Sequence, residues 1–232
     1  MPKKTDVDIW LDRETPHKRK ALENASSYFD KNDELTVNTL EAIYGQESSF
    51  GILKRKTGMN GAAGEFHLQR NTAERYHLIV SPKNDQRFNI DYASIAAARY
   101  LDDLDRAFSK KTVLSTKVTT IPIKAALERK KFILAAYNGG EGSITKAQCL
   151  TQQAGRNPTS WNDVQEFLGQ AKAKNPDQIR KYVKDVSKNE AEFAKKSLAD
   201  KTAKDKKINK SKGRCTIGHW ITKDGLHIFV CD

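Results

Sequence analysis

The chain has 232 residues, enough to bury a core as one large domain or as a domain with an appendage. Hydrophobic residues make up 38% and charged residues 30%, and no apolar run approaches the roughly 18 residues of a membrane span, so no transmembrane helix is expected. A formal net charge of +12 implies an anionic partner: nucleic acid, an acidic membrane surface or an acidic polymer.

Residues 1–33 are mixed and charged and read as an N-terminal extension; Met1 to Asp8 leads into no apolar segment, so no secretory signal is expected. His17 to Tyr28 has the spacing of an amphipathic helix, with Leu22, Ala25 and Tyr28 on one side. The next helix is expected over Glu34 to Gln46. Leu40, Ile43, Tyr44 and Glu47 recur at i, i+3, i+4 and i+7, so Glu47 continues an apolar stripe where a carboxylate is not expected. Ser48, Ser49 and Gly51 are poor helix formers and end the helix there. The acid therefore sits at a helix end beside a turn. General acids are carboxyls placed in this way, because desolvation disfavours their charged form. The plainer alternative is a side chain that rotates to solvent at a fraying end.

Lys54-Arg55-Lys56 reads as a solvated basic loop. Gly58, Gly61 and Gly64 exclude a stable helix; the segment to Leu68 reads as a turn followed by a short strand whose backbone a ligand can approach closely. Asn71 and Glu74 have capping-box spacing and open a helix. Ser81 to Gln86 is a loop. Ile90 to Phe108 is a strong helix, with Ile95, Ala98, Leu101, Leu104 and Phe108 in one stripe. Residues 109–122 read as irregular. Ile123 to Tyr137 is the next helix, ended by Asn138-Gly139-Gly140. A helix starts at Ser143, and two more are expected over Trp161 to Ala173 and Pro176 to Val186.

Residues 187–213 are lysine-rich and read as a charged helix or linker. Residues 214–232 change character: two β-prone runs flank Lys223-Asp224-Gly225, the signature of a hairpin. Cys215 and Cys231 bracket that turn, so a cross-strand disulfide is expected, with Cys149 free. A reduced pair is the alternative. A zinc site from Cys215, His219, His227 and Cys231 has suitable residue types but lacks CxxC-type spacing, so no metal and no cofactor is expected.

Several motifs fall in a known order: Glu47-Ser48, then Gly61-Ala62-Ala63-Gly64-Glu65-Phe66-His67-Leu68, Thr72-Ala73, Tyr100-Leu101, Ala135-Ala136-Tyr137-Asn138-Gly139-Gly140 and Tyr182-Val183. The set resembles the soluble lytic transglycosylases, relatives of goose-type lysozyme, over residues 34–186. That likeness implies a mainly α, lysozyme-like catalytic domain with a small β-hairpin in its cleft, followed by the C-terminal β-hairpin appendage. It implies cleavage of the MurNAc–GlcNAc bond of peptidoglycan with formation of a 1,6-anhydroMurNAc end. Carried over by position, Glu47 matches the catalytic acid, which later acts as base. Ser48, Gly61, Ala62, Gly64, Tyr137 and Asn138 match substrate-binding positions. One carboxyl suffices when the substrate's N-acetyl and 6-hydroxyl groups assist.

The sequence departs from the family pattern after Gly64, where Glu65, Phe66 and His67 replace Leu, Met and Gln. His67 thus stands where a substrate-contacting glutamine is usual. Glu65 adds a second carboxylate, which makes an inverting muramidase using Glu47 and Glu65 the alternative enzyme. Peptidoglycan glycan strands are the expected partner, and the terminal hairpin is a candidate surface for a protein partner. Nucleic acid is not expected, since no basic stripe with interleaved aromatics accompanies the charge. The expected location is the periplasm, cell envelope or exterior, reached by a removed signal or another route.

Overall fold

The structure, a computed structural model, describes the backbone of residues 3–30, 34–54, 60–115, 118–212, 218–223 and 226–231, with side chains through residue 199. The described chain is mainly helical and divides into two units, Met1–Phe193 and Ala194–Asp232.

The first unit opens with α1 (Asp6–Leu11) and α2 (Pro16–Ser26). Thr5 and Asp8 form a capping box on α1; the Thr15 hydroxyl accepts from the Lys18 amide on α2, with Pro16 in the first turn. Val7 and Trp10 of α1 and Ala21, Leu22 and Ala25 of α2 join the main core. The stretch read as an extension therefore contributes core residues. Tyr28 lies 40% exposed beneath the Arg99 guanidinium rather than on the buried side.

Helix α3 (Val37–Ser48) starts later than the pattern suggested, because the Thr36 amide is taken by the Thr39 hydroxyl at 2.9 Å and fixes the start there. Its stripe of Leu40, Ile43 and Tyr44 is fully buried, as the spacing predicts. In α4 (Arg70–Arg75) the expected Asn71–Glu74 capping box does not form. Glu74 instead accepts from Arg70 Nε at 2.8 Å, an i,i+4 pair along the helix.

Helix α5 (Ile90–Ser109), capped by Asn89, packs against α2 and against α6 (Ala126–Gly139). Between them the stretch read as irregular forms a small antiparallel hairpin, β1 (Val113–Ser115) with β2 (Val118–Thr119). The buried Thr120 hydroxyl donates at this point toward the carbonyls of Ala107 (2.8 Å) and Lys110 (2.9 Å), tying the hairpin to the end of α5. Residues 63–68, where a turn and strand were expected, form a turn closed by one β-bridge, Ala63 with Leu68. Gly140, at φ 84°, separates α6 from α7 (Glu141–Gln153). Only Trp161–Val164 of the next expected helix is α-helical (α8); Gln165–Phe167 tightens into a 3-10 turn.

The last helix, α9 (Pro176–Lys212), runs uninterrupted for 37 residues, so the lysine-rich segment is helix, and the division between the units falls within it. The second unit holds the rest of α9 and the antiparallel pair β3 (Gly218–Lys223) and β4 (Leu226–Cys231), with Trp220 opposite Phe229. The Asp224-Gly225 turn, Cys215 and the Cys231 side chain lie outside the described residues, and so do the disulfide and zinc readings. Arg55, Lys56 and Gly58 also lie outside them. Among the described residues no helix is long and apolar enough to cross a membrane.

Candidate active site

Glu47 is the penultimate residue of α3, and its side chain, 13% exposed, lines a cleft of about 510 Å³. The helix end that carries it is fastened by an unusual turn. Ser49, Phe50 and Gly51 all have positive φ (52°, 58° and 83°). Such a run persists only when its surroundings over-determine it. Here the first two helices and the link between them supply that: Trp10 Nε1 donates to Ser49 Oγ at 3.1 Å, Arg13 Nη1 to the Ser49 carbonyl at 3.0 Å, and Lys18 Nζ to the Phe50 carbonyl at 2.8 Å. Phe50 is buried between Trp10 and Tyr44.

The turn that meets Glu47 is built around Gly64 (φ 84°), where a Cβ would lie 1.9 Å from the Arg87 carbonyl oxygen. Only glycine fits that approach. Arg87 is 1% exposed, paired with Asp85, and donates through Nη1 to the carbonyls of Gly61 (2.6 Å) and Leu68 (3.2 Å), the two ends of the turn. Tyr137 Oη donates to the Phe66 carbonyl at 2.9 Å. Phe66 is fully buried and stacks on Tyr44 at 5.2 Å.

These constraints sort the residues expected in the site. Glu47, Ala62, His67, Tyr137 and Asn138 line the cleft together. Four others are placed in its frame. Ser48 is fully buried, donating to the Tyr44 carbonyl and accepting from the Gly51 amide at 3.0 Å. Gly61 and Gly64 shape the turn without lining the cleft. Glu65 turns inward: its side chain is 4% exposed, accepts from Tyr44 Oη at 2.8 Å and pairs with Lys54. In a turn, unlike a strand, neighbouring side chains do not alternate strictly, so Glu65 and Phe66 both enter the interior while His67 (φ 45°) faces the cleft. The carboxylate read as the alternative water-activating base is therefore buried in an ion pair with Lys54.

A polar neighbour of Glu47 in the cleft is His67, with Nδ1 3.0 Å from Glu47 Oε2. Two phenols also face the acid. Burial, then the Glu47 carboxylate and Tyr100, raise the Tyr137 phenol well above its ordinary range. Burial and then Glu47 do the same to Tyr182, whose hydroxyl completes no hydrogen bond of good geometry among the described residues.

Other lining residues escaped the sequence reading or entered it only inside a motif. The Tyr100 ring lies tilted 5.5 Å from that of Tyr137, and its hydroxyl donates to Glu141 Oε2 at 3.0 Å. Lys174, Asn175 and Gln178 reach the cleft from the start of α9. No local pattern marks these, because a polar residue before a helix looks the same whether it faces solvent or a ligand.

A helical unit whose cleft centres on one carboxyl at a helix end, faced by a glycine turn and a tyrosine-asparagine helix end, is the architecture of a lysozyme-like glycosidase. The family model of the transglycosylase SLT domain matches residues 25–159, and the chain belongs to that family. It is similar to the membrane-bound lytic murein transglycosylase F of Enterobacter sp. (strain 638), 31% identical over 136 residues, 59% of this chain and 22% of the relative. The protein of the same name from Cronobacter sakazakii is 33% identical over 129 residues, 56% of this chain and 21% of the relative. That from Salmonella typhi is 32% identical over 135 residues, covering 58% and 24%. The matched region thus spans less than a quarter of each of these relatives.

Proposed function

We propose that the protein is a peptidoglycan lytic transglycosylase acting in the cell envelope. Glu47 protonates the oxygen of the MurNAc–GlcNAc β-1,4 bond. The substrate N-acetyl group steadies the oxocarbenium-like centre, and the muramyl 6-hydroxyl attacks it, returning its proton to Glu47. The product is a 1,6-anhydroMurNAc end. The positive charge suits the carboxylates of peptidoglycan or the phosphates of wall polymers. Residues 34–186 are the catalytic domain in this reading, braced by α1 and α2, and the terminal hairpin is left for a partner.

The observation that carries the reading is the placement of two acids, Glu47 and Glu65. Glu47 faces the cleft; Glu65 is buried on Lys54 and Tyr44. A buried, ion-paired carboxylate holds no water in line with a sugar, so the inverting route through Glu65 has no base. The intramolecular 6-hydroxyl then has a large effective-concentration advantage over water. Among the described residues the other carboxyl lining the cleft is Glu141.

The test is mass spectrometry of muropeptides released from purified sacculi. Anhydro ends, lighter than hydrolysed ends by one water, are expected, and Glu65→Gln should leave the product type unchanged. Reducing MurNAc ends that disappear on Glu141→Gln would replace this reading with a hydrolytic one.

A further inference from the structure

The charged groups that line the cleft are unequally provided for. Glu47 meets His67, and Glu141 accepts from Tyr100 at 3.0 Å and lies 3.9 Å from Arg75. Lys174 lines the same cleft and is exposed, and its ammonium makes no ion pair or hydrogen bond among the described residues.

The backbone that presents this lysine is closely constrained. Lys172 and Asn175, on either side of it, both lie in the left-handed region, at φ 58° and 54°. Neither is glycine, so each conformation persists only because its surroundings impose it. Ala171 and Ala173 are buried, and their amides donate to the carbonyls of Phe167 (2.9 Å) and Leu168 (3.0 Å). The chain is thus anchored up to the residue before Lys174, and α9 begins two residues after it. The fold fixes where the lysine stands, and its flexible stem gives the ammonium reach across the cleft.

A glycan lying over the cleft removes water from that ammonium, a cost that an opposite charge offsets and a neutral sugar does not. The sugar rings of peptidoglycan are neutral. The charge of the strand hangs from the muramyl 3-O-lactyl arm, as the lactyl carboxylate where no peptide is attached and as stem-peptide carboxylates where one is.

We propose that Lys174 is a specificity-determining residue that pairs with a carboxylate on the muramyl arm, so that the enzyme sorts strands by the charge those arms carry. This rests on the reading of the cleft as the peptidoglycan site. The arm takes no part in the breaking C1–O4 bond, so the pair forms alike in bound substrate and in transition state. It therefore acts on KM and leaves kcat unchanged.

The test uses the full chain and four substrates: sacculi with their stem peptides, sacculi stripped of them by an amidase, and each of these with its carboxyl groups converted to methylamides. Lys174→Gln should lower kcat/KM about three- to tenfold, through KM, on carboxylate-bearing strands and not on their amidated counterparts. A loss seen on stripped strands assigns the lactyl carboxylate as the ligand; a loss confined to peptide-bearing strands assigns the stem peptide. Lys174→Arg should keep most of the wild-type preference. Lys172→Gln removes the same charge from an exposed position outside the cleft lining and should keep all of it. Equal losses on free and amidated strands, no loss on any sample, or an equal loss in Lys172→Gln overturns the proposal.

Binding gives the same comparison without cleavage. In a Glu47→Gln background, the fraction of protein that sediments with carboxylate-bearing strands should fall on Lys174→Gln, and the fraction with amidated strands should not. An unchanged fraction overturns the carboxylate contact. If wild type cleaves none of the four samples while this difference in binding holds, it is the transglycosylase reading that fails.

Discussion

Two turns meet at the Glu47–His67 contact, and they are held in different ways. The turn after Glu47, Ser49 to Gly51, stays in the left-handed region for three residues and is tied by the Trp10 indole of α1 and by two half-buried cations, Arg13 from the link after α1 and Lys18 from α2. The turn that carries His67 is tied by one fully buried guanidinium and by Tyr137. Losing a half-exposed hydrogen bond costs little, because water replaces it. Losing one partner of a buried ion pair leaves charge and carbonyls unsatisfied. The acid side of the cleft should therefore give way gradually and the imidazole side abruptly.

Changes at the contact, then at each turn, separate those behaviours. Glu47→Gln alters neither turn and should show the largest effect on activity, a loss of about two to four orders of magnitude in rate with an unchanged melting temperature. Near-normal clearing of sacculi by that folded variant would remove Glu47 from the mechanism. On the imidazole side, Arg87→Met strands Asp85 and the carbonyls of Gly61 and Leu68, and should cost about 3–5 kcal/mol in urea unfolding.

The acid side adds a pH dependence of its own. Glu41, on the helix that carries Glu47, is buried against Arg19 of α2 with Glu14 and Glu23 nearby. Burial pushes its carboxyl from an ordinary 4.5 up to about 7. Because the folded value lies above the unfolded one, the fold retains this proton while the unfolded chain releases it. Stability is highest below about pH 4.5 as far as this group is concerned, and is lost as pH rises through about 7, by about 3 kcal/mol. Unfolding of Glu41→Gln, followed from pH 5 to 8, should lack that slope. The smallest effect is expected for Arg13→Ala, about 1 kcal/mol, since Trp10 and Lys18 still hold the same turn. A loss as large as that for Arg87→Met would erase the distinction between the turns.

What the sequence shows of this site follows from local spacing. Glu47 interrupts an apolar stripe, glycines mark the facing turn, and Tyr137-Asn138 precede a helix-ending pair; each is visible within a few residues. The α5 stripe is equally plain, and its residues are buried. What stayed hidden depends on partners far along the chain. Helix α1 is six residues long, too short for its Val7 and Trp10 to declare a period. Arg87 sits in a loop of ordinary polar composition and reveals its part only when Gly61 and Leu68 come to it. The resemblance sets both Glu65 and His67 toward the substrate; the turn sends Glu65 inward and His67 to the cleft.

The fastening of the Ser49–Gly51 turn bears on how this protein should be trimmed for laboratory use. The family match begins at residue 25 and stops at 159. A fragment cut to those limits keeps Glu47, His67 and the tyrosine-asparagine end of α6. It discards Trp10, Arg13 and Lys18, and with them the hydrogen bonds that hold the backbone beyond the acid, and it discards Tyr182 beside the carboxyl. Such a fragment would bear the whole stretch that the family model matches and yet present a slack helix end to its substrate. Weak activity in it would reflect the cut, and reagents meant to report on this enzyme should start before Thr5 and run through Phe193.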